Sequence, residues 1–521
     1  MRIVIVHDQG VQRRWHQWLA QALARNAEHH VELACAPPVR SMPTALSLVQ
    51  ELDRLVYRRR GQCASDLCNE PSAKSEPFRE KLARASVDLV IDLSSGGVRC
   101  PAGTRLLTPL YDGCRDELAA IDGHLSHRPV AVSIFDSSVG RAIECGRVAT
   151  DPNKIFASFD NVACQTLCAL MRRVSQVAPA TVTPLTSLAP AGNTRIEGPA
   201  NRHIVGHFLA GLVVKITARL SEMCGYGATW GVGWRRTHRD LFCETGTGND
   251  ATYMPLANNK GSFFADPFVI FRDGRYHVFV EEFDYAQGKG VISTFTIETD
   301  GTTTPSQVVL DRPYHLSYPF VFERDGQTWM IPESYASARV ELYRARAFPH
   351  DWVLESVLID GIHAYDATLC EHDGRLWLLM ATSQWQHGSP FSWDRLDIYH
   401  AQSLHGPWQP VAANPALIDP LGARPAGRMF RRGGALWRPA QDCSGFYGAG
   451  LSICRVDRLE TEGFEQTIWQ SLAPWQPSQL KGVHTLNGAN GVELIDTFGL
   501  QTSTPIRLAA QSARQVSPSE N

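Results

Sequence analysis

One hairpin, written five times, constrains this chain more than any other feature. It reads ADPFVIFRDGRYHVFVEE at 265–282, SYPFVFERDGQTWMIPES at 317–334 and YDATLCEHDGRLWLLMAT at 365–382. Two looser copies follow, ARPAGRMFRRGGALWRPAQD at 423–442 and GVHTLNGANGVELIDT at 482–497. In the first three copies the turn residues Asp273, Asp325 and Asp373 each stand seven places after Asp266, Tyr318 and Asp366. Each copy is an apolar run, an Asp-Gly or Gly-Gly turn and a second run, which is the signature of a β-hairpin. Copies fall roughly 50–60 residues apart, the length of a four-stranded propeller blade. Five copies predict an all-β five-bladed propeller.

A propeller decides where chemistry can gather. The first strand of each blade lines the central channel, and the hairpin returns the chain to the same face. Residues that open first strands therefore meet residues that close second strands around one mouth. The openers are Asp266, Tyr318, Asp366, Arg424 and His484; the closers include Glu281, Glu282, Glu333, Thr382, Gln441, Asp442 and Asp496. This ring of carboxylates, Arg and His is the expected site, with strand capping as the plain alternative for any one of its members. Trp329, Trp377 and Trp437 fall within second strands and are expected to pack between blades. Tyr285, Tyr335, Trp385 and Trp393, in loops after second strands, suit stacking on a sugar ring.

The ADPFV…DGRYHVF opening and the later YDATL…HDGRLWLL resemble the arabinanase and β-xylosidase clan of five-bladed propeller glycosidases. Over roughly 230–500 the chain is more similar to the propeller domain of plant glucosamine inositolphosphorylceramide transferases and their bacterial relatives. The glycosidase resemblance implies Asp266 as general base, Asp366 as the modulating and positioning Asp, and Glu333 or Glu282 as general acid. Arg424 opens the fourth blade where that clan would accommodate an acid, so transfer and phosphate handling stand beside hydrolysis. Arg424 and His484 could clamp a phosphate; Asp442, Tyr318 and Trp385 complete the expected substrate contacts.

Residues 1–178 read differently. Strand-like runs at Arg2–His7, Val31–Ala34, Val87–Leu93 and Val130–Phe135 alternate with helical patterns at Gln12–Ala24, Ala45–Arg58 and Asn161–Val174. This alternation predicts an α/β, Rossmann-like domain with a parallel sheet. From MRIVIV through DLVIDLSSGG to NVACQTLCALMRRV, this half resembles the formyltransferase-like fold of methionyl-tRNA and sugar N-formyltransferases. The HxSLLP-type segment that carries the Asn and His of those enzymes is missing, so no catalytic residue transfers. The turns Asp8-Gln9-Gly10 and Ser94-Ser95-Gly96-Gly97 are weak phosphate cradles, with tight turns as the plain alternative. Residues 179–229 read as a Pro/Thr/Ser-rich linker followed by an amphipathic helix at His203–Met223, expected to pack between domains or to lie on a membrane. Residues 230–505 form the propeller and 506–521 a disordered tail.

Composition narrows the function. With 50 Lys+Arg against 53 Asp+Glu the net charge is −3, which argues against general nucleic-acid binding. Uninterrupted apolar stretches are too short for a membrane span, and MRIVIVHDQGVQRRW has no signal-peptide core, so a cytoplasmic location is expected. The 13 cysteines lack zinc-site spacing, and no metal or cofactor is expected. The leading expectation is an enzyme of carbohydrate metabolism that transfers a glycosyl group to water or another acceptor at the propeller mouth, acting on a carbohydrate, nucleotide-sugar or glycolipid. The alternatives are a glycan-binding propeller without chemistry, and an active amino-terminal transferase whose propeller selects the sugar.

Overall fold

The computed structural model describes residues 1–39, 41–59, 62–68, 77–80, 86–175, 199–223, 227–237, 252–298, 301–383, 393–474, 479–499 and 504–512. The chain divides into two compact units, Met1–Thr217 and Ala218–Gln384 with Ser392–Asn521.

In the first unit, six strands form one sheet: β1 (Arg2–Asp8), β2 (His30–Ala36), β3 (Leu89–Asp92), β4 (Arg105–Tyr111), β5 (Val130–Asp136) and β6 (Arg141–Val148). Their order is β2-β1-β3-β4-β5-β6. The first four are parallel, while β5 and β6 run antiparallel, so the sheet is mixed rather than wholly parallel as expected. Helices among the described residues include α1 (Arg14–Ala24), α2 (Thr44–Val56), α3 (Leu118–Leu125), α4 (Ile155–Ser175) and α5 (Asn201–Met223), whose residues from 218 onward belong to the second unit. Strand period explains the layering. Ile3 and Ile5 face Trp15, Leu19 and Leu167 of α1 and α4, while Val4 and Val6 face Ala34, Phe78 and Val90. Both faces are therefore buried, which accounts for the unbroken IVIV run.

The turns at the carboxyl edge are closed on themselves. Ser94 and Val98 donate their amides to Asp92 at 3.0 Å, and Ser95 donates to Asp8 at 3.1 Å. Amides aimed at the protein's own carboxylates are tight-turn geometry, the plain alternative to a phosphate cradle.

The second unit opens with β7 (Thr229–Arg236) and β8 (Thr252–Pro255). The first sheet follows, with β9 (Ser262–Arg272), β10 (Arg275–Asp284), β11 (Lys289–Ile297) and β12 (Gln307–Leu310). The second holds β13 (Ser317–Arg324), β14 (Gln327–Glu333), β15 (Arg339–Ala347) and β16 (Asp351–Asp360). The third holds β17 (Ala364–His372), β18 (Arg375–Thr382), β19 (Arg395–Ala401), β20 (Gln409–Pro410) and β21 (Leu417–Ile418). The fourth holds β22 (Phe430–Arg432), β23 (Ala435–Asp442), β24 (Gly450–Leu459) and β25 (Phe464–Pro474). The chain ends with β26 (Leu480–Gly482), β27 (Leu486–Ala489), β28 (Val492–Gly499) and β29 (Ile506–Ser512).

The fifth sheet borrows from both ends of the unit. β28 pairs with β27 on one side and with β7 on the other, from Val492↔Arg236 to Gly499↔Thr229. β7 in turn pairs with β8. β29 links this sheet to the fourth through β25 and β8, so the expected disordered tail begins as a paired strand. Joining first and last strands in one sheet removes the free edge that an open array would leave.

Five links close the ring. Asp266 donates its amide to Asp496 at 3.0 Å, and Tyr318 donates its amide to Asp266 at 3.2 Å. The Tyr318 hydroxyl meets Thr368 at 2.8 Å, Arg424 donates to Asp366, and Leu486 donates its amide to the Ala426 carbonyl at 2.8 Å. Buried side chains join the same neighbours: Phe268, Phe320 and Leu369 across the first three sheets, and Val269 with Leu494 between the first and fifth. This is the five-bladed arrangement that the repeats predict. Trp329, Trp377 and Trp437 repeat one contact, each indole donating at 3.1–3.3 Å to a carbonyl five residues earlier. They pack and brace the hairpins, as expected.

Candidate active site

The repeat survives at the level of the backbone. Asp266, Tyr318 and Asp366 adopt φ of +48°, +41° and +53°, and the turn residues Asp273, Asp325 and Asp373 adopt +52°, +52° and +50°. Left-handed backbone is uncommon for any residue with a Cβ, and strained for a buried tyrosine. At each opener the pairing with the next strand shifts register, between Phe279 and Glu281, between Ser317 and Phe320, and between Tyr365 and Thr368. The opener is thus a bulge that re-aims one residue of each first strand.

Asp266 is buried. Its Oδ1 accepts the Thr485 hydroxyl at 2.6 Å and its Oδ2 accepts the Tyr318 amide. Burial pushes its carboxyl up to about 6; the nearby His484 opposes the rise, and Asp366 and Asp496 add to it. Asp496 closes the other side. It accepts the amides of His484 and Thr485 on Oδ1, and the Asp266 amide and His484 Nδ1 (2.6 Å) on Oδ2. His484 is raised above its ordinary value because these carboxylates outweigh the cost of its burial.

Across the axis, Arg424 donates Nε to Asp366 and sets a terminal nitrogen 3.6 Å from Glu333. Gln441 donates to the same Asp366 oxygen at 2.9 Å. Glu333 is held well above the usual carboxylate range, by burial first and then by Asp366, against the pull of Arg424. Glu281 is also held well above it, by burial and by the charges of Asp266, Glu333, Asp496 and Asp366. Two carboxyls with raised proton affinity therefore lie among carboxylates tied to Arg424 and His484, a combination suited to moving protons on and off a bound substrate.

Aromatic rings border this centre. Trp230 stacks on His484 at 3.9 Å, and Tyr447 meets His484 edge-on at 5.5 Å and stacks on Trp393 at 5.5 Å. The Arg424 guanidinium lies 5.1 Å from the Tyr365 ring and 5.0 Å from Tyr447, and Tyr335 stacks on Tyr365 at 4.6 Å. Flat rings beside carboxyls are the usual furniture of a sugar subsite.

Of the residues singled out by the repeat, Asp266, Asp366, Glu333, Arg424 and His484 come together. Glu282 does not join them. Its carboxylate accepts Asn259 at 2.7 Å, Ser262 at 2.9 Å and Ser293 at 2.7 Å, and its neighbour Glu281 takes the inner position. Tyr318 is fully buried, with its hydroxyl on Thr368, and contributes its amide to Asp266. Asp442 caps a turn by accepting the amide and hydroxyl of Ser444. Trp385 lies outside the described residues. The repeats did not bring out Trp230 and Tyr447. Trp230 stands in the closing strand β7, outside every copy, whereas Tyr447 follows a second strand as Tyr285 and Tyr335 do, a positional signal that was there to be read.

One nitrogen of His484 and carboxylate oxygens of Asp266 and Asp496 lie within 4.8 Å of one another, spacing that a cation could bridge. The donor set argues against it, because Asp496 already accepts three amides and His484 Nδ1.

Antiparallel sheets that carry the five hairpin copies, the fourth and fifth joined through β29, with buried carboxyls gathered where the first strands open, define a β-propeller with an acidic central site. Its second half has named kin: residues 251–505 match the family model for glucosamine inositolphosphorylceramide transferase 1, N-terminal. Glucosamine inositolphosphorylceramide transferase 1 of Oryza sativa subsp. japonica is 36% identical over 304 residues, 53% of this chain and 40% of its own length. That of Arabidopsis thaliana is 32% identical over 208 residues, 39% of this chain and 27% of its own. The chain thus spans less than half the length of these relatives. Among solved structures, a thermostable family-43 glycoside hydrolase shares 13% identity with a TM-score of 0.32, over 42% of this chain and 86% of its own. Zg3597, a family 117 glycoside hydrolase from Zobellia galactanivorans, shares 13% with a TM-score of 0.32, over 52% and 92%. The expected resemblance to the transferase propeller holds. The family match begins at residue 251 and so does not extend to the formyltransferase-like likeness of the first half.

Proposed function

We propose that this chain transfers a glycosyl group, at the axis of its propeller, to the headgroup of an inositol-phosphate-bearing lipid. The carrying observation is the gathering of buried carboxyls in unlike settings: Asp266, bonded to the Thr485 hydroxyl and beside His484, is raised to about 6, while burial and neighbouring charge hold Glu333 and Glu281 well above the usual carboxylate range. In this reading Asp266 takes the proton from the attacking acceptor hydroxyl as the new glycosidic bond forms. Glu333 gives its proton to the departing oxygen as the old bond breaks. Asp366, fixed by Arg424 and Gln441, positions Glu333. Trp230, Tyr447 and Trp393 supply the sugar platform. The relatives' name supports the substrate class, and the chemistry rests on this chain's own residues.

The test is turnover of a hexosamine donor with a phosphoinositol acceptor, measured for wild type, Asp266→Asn, Glu333→Gln and Asp366→Asn. Losses of about 100-fold or more are expected for the first two variants. Turnover that survives both Asp266→Asn and Asp366→Asn sinks the assignment. One observation favours a second reading, a glycan-binding propeller without chemistry: both oxygens of Asp496 and Oδ2 of Asp366 are already engaged by two internal partners each. Sugar binding with no turnover of any donor would select it.

A further inference from the structure

Two neighbouring helices, α2 and the continuous α5 that begins in the first unit and ends at Met223 in the second, expose apolar stripes that the core does not use. On α5, Leu209, Val213, Ile216 and Leu220 recur at helical spacing, and each is about half exposed. On α2, Leu48 and Leu55 are 61% and 75% exposed, with Leu52 between them. The helices run side by side in the same direction. Ala45 at the start of α2 donates its amide to Asn201 at 3.1 Å. At the other end, Lys215 donates to the Val56 carbonyl and lies 4.7 Å over the Tyr57 ring.

Length and composition alone would let α5 cross a bilayer. Its packing argues otherwise. Ile204 and Phe208 are buried in the first unit, and a Cβ on Gly211 would press against the Asn153 carbonyl and the Tyr57 hydroxyl. The stretch after Gly211 is mostly exposed. Those twelve residues extend about 18 Å, short of the roughly 30 Å hydrocarbon core. The stretch is long enough to lie in an interface and too short to span one.

Charge names the occupant. From Asn201 to Ser221 there is no acidic residue, with Glu222 next, while Arg202, Lys215 and Arg219 are basic; on α2 the exposed Glu51 is answered by Arg54 at 3.9 Å, and Arg58 follows the helix end, so cations outnumber acids along the two stripes. Apolar side chains bordered by cations fit the anionic face of a lipid bilayer. We propose that the α2–α5 surface docks this chain on an anionic membrane. The proposal rests on the lipid acceptor named above and deepens it: a chain held at the bilayer meets an acceptor confined to that bilayer.

The experiment is co-sedimentation of the full chain with phosphatidylcholine vesicles, with and without phosphatidylserine. Wild type should pellet with the anionic vesicles, and less so as salt rises. Ile216→Glu with Leu220→Glu should lower the vesicle-bound fraction about tenfold or more, since each removes a side chain that would leave water. Leu48→Glu with Leu55→Glu tests the second stripe independently. Circular dichroism and turnover of a soluble acceptor should stay at wild-type values in both pairs. A wild type that remains in the supernatant, or vesicle binding that ignores both pairs, overturns the proposal. So does a dimer that either pair converts to monomer, because the surface would then belong to a second copy. Loss of turnover on soluble acceptor in the wild type itself would instead strike the functional reading, and vesicle binding would still be judged separately.

Discussion

Arg424 donates its Nε to Asp366 with both side chains buried at the axis of the ring, so the fourth blade supplies the cation that the third blade's carboxylate requires. An arginine at a first-strand opening is therefore a counter-charge in this chain rather than a missing acid. The same guanidinium lies 3.6 Å from Glu333, whose carboxyl burial and Asp366 still hold well above the usual carboxylate range.

Truncating Arg424 leaves Asp366 buried without its ion partner. Arg424→Met is expected to lower the stability of the second unit by about 3–5 kcal/mol, and Arg424→Met with Asp366→Leu to recover much of that loss. Urea titration followed by tryptophan fluorescence measures both. A single variant as stable as wild type would show that the pair contributes nothing net.

Asp266 sets the pH response. Its carboxyl rises from 3.8 to about 6 on folding, so between those values the folded chain binds more protons than the unfolded one. Stability contributed by this group is then present at low pH and falls as pH rises through that window. Activity runs the other way, since a base must be ionised, and kcat/KM should climb through about pH 6. His484→Gln removes the cation that holds Asp266 down and should move this acid limb to higher pH. A limb that stays in place would take Asp266 out of the base's position.

Glu281 and Glu282 give a paired comparison. Glu281→Gln removes a buried carboxyl of raised proton affinity beside Asp266 and should lower turnover about tenfold or more. Glu282→Gln weakens a hydrogen-bonded cluster with Asn259, Ser262 and Ser293, and should cost about 1–3 kcal/mol of stability with turnover intact. Steady-state kinetics beside thermal melts separates the two. The reverse pattern would mean that β10 presents its other face to the axis.

The same pair shows what was legible beforehand. The seven-residue interval from Asp266 to Asp273, repeated at Tyr318 and Asp366, was enough to give the first three hairpins and their shared mouth, and the two looser copies completed the number. It could not say which of two adjacent glutamates points inward, because the left-handed Asp266 makes a bulge that shifts register between Phe279 and Glu281. A one-residue shift exchanges faces. Tyr318 deceived for a related reason: its backbone reproduces the opener, but its ring serves the core with Phe268. In the first unit, β4 and β6 carry weak strand signals because RLLTPLY contains a proline and RAIECGRV is polar, with only its last residue buried. Nothing local reveals that β6 returns antiparallel on β5.

Closure of the ring was the least legible feature, and Trp230 makes it testable. β7 is separated from β28 by more than 250 residues, yet it supplies the partner strand of the fifth blade and carries Trp230 onto His484. Two effects should therefore separate by position along one strand. Val232 is fully buried among Phe264, Val278 and Leu494, and Val232→Ala should cost about 1–3 kcal/mol with little change in turnover at permissive temperature. Trp230→Ala removes the ring stacked on His484, and should raise KM for the sugar by about tenfold with a smaller change in melting temperature. Kinetics and thermal melts on the two variants read this out. Equal losses of stability and of KM at both positions would mean that β7 is a structural strap alone and that Trp230 takes no part in holding the substrate.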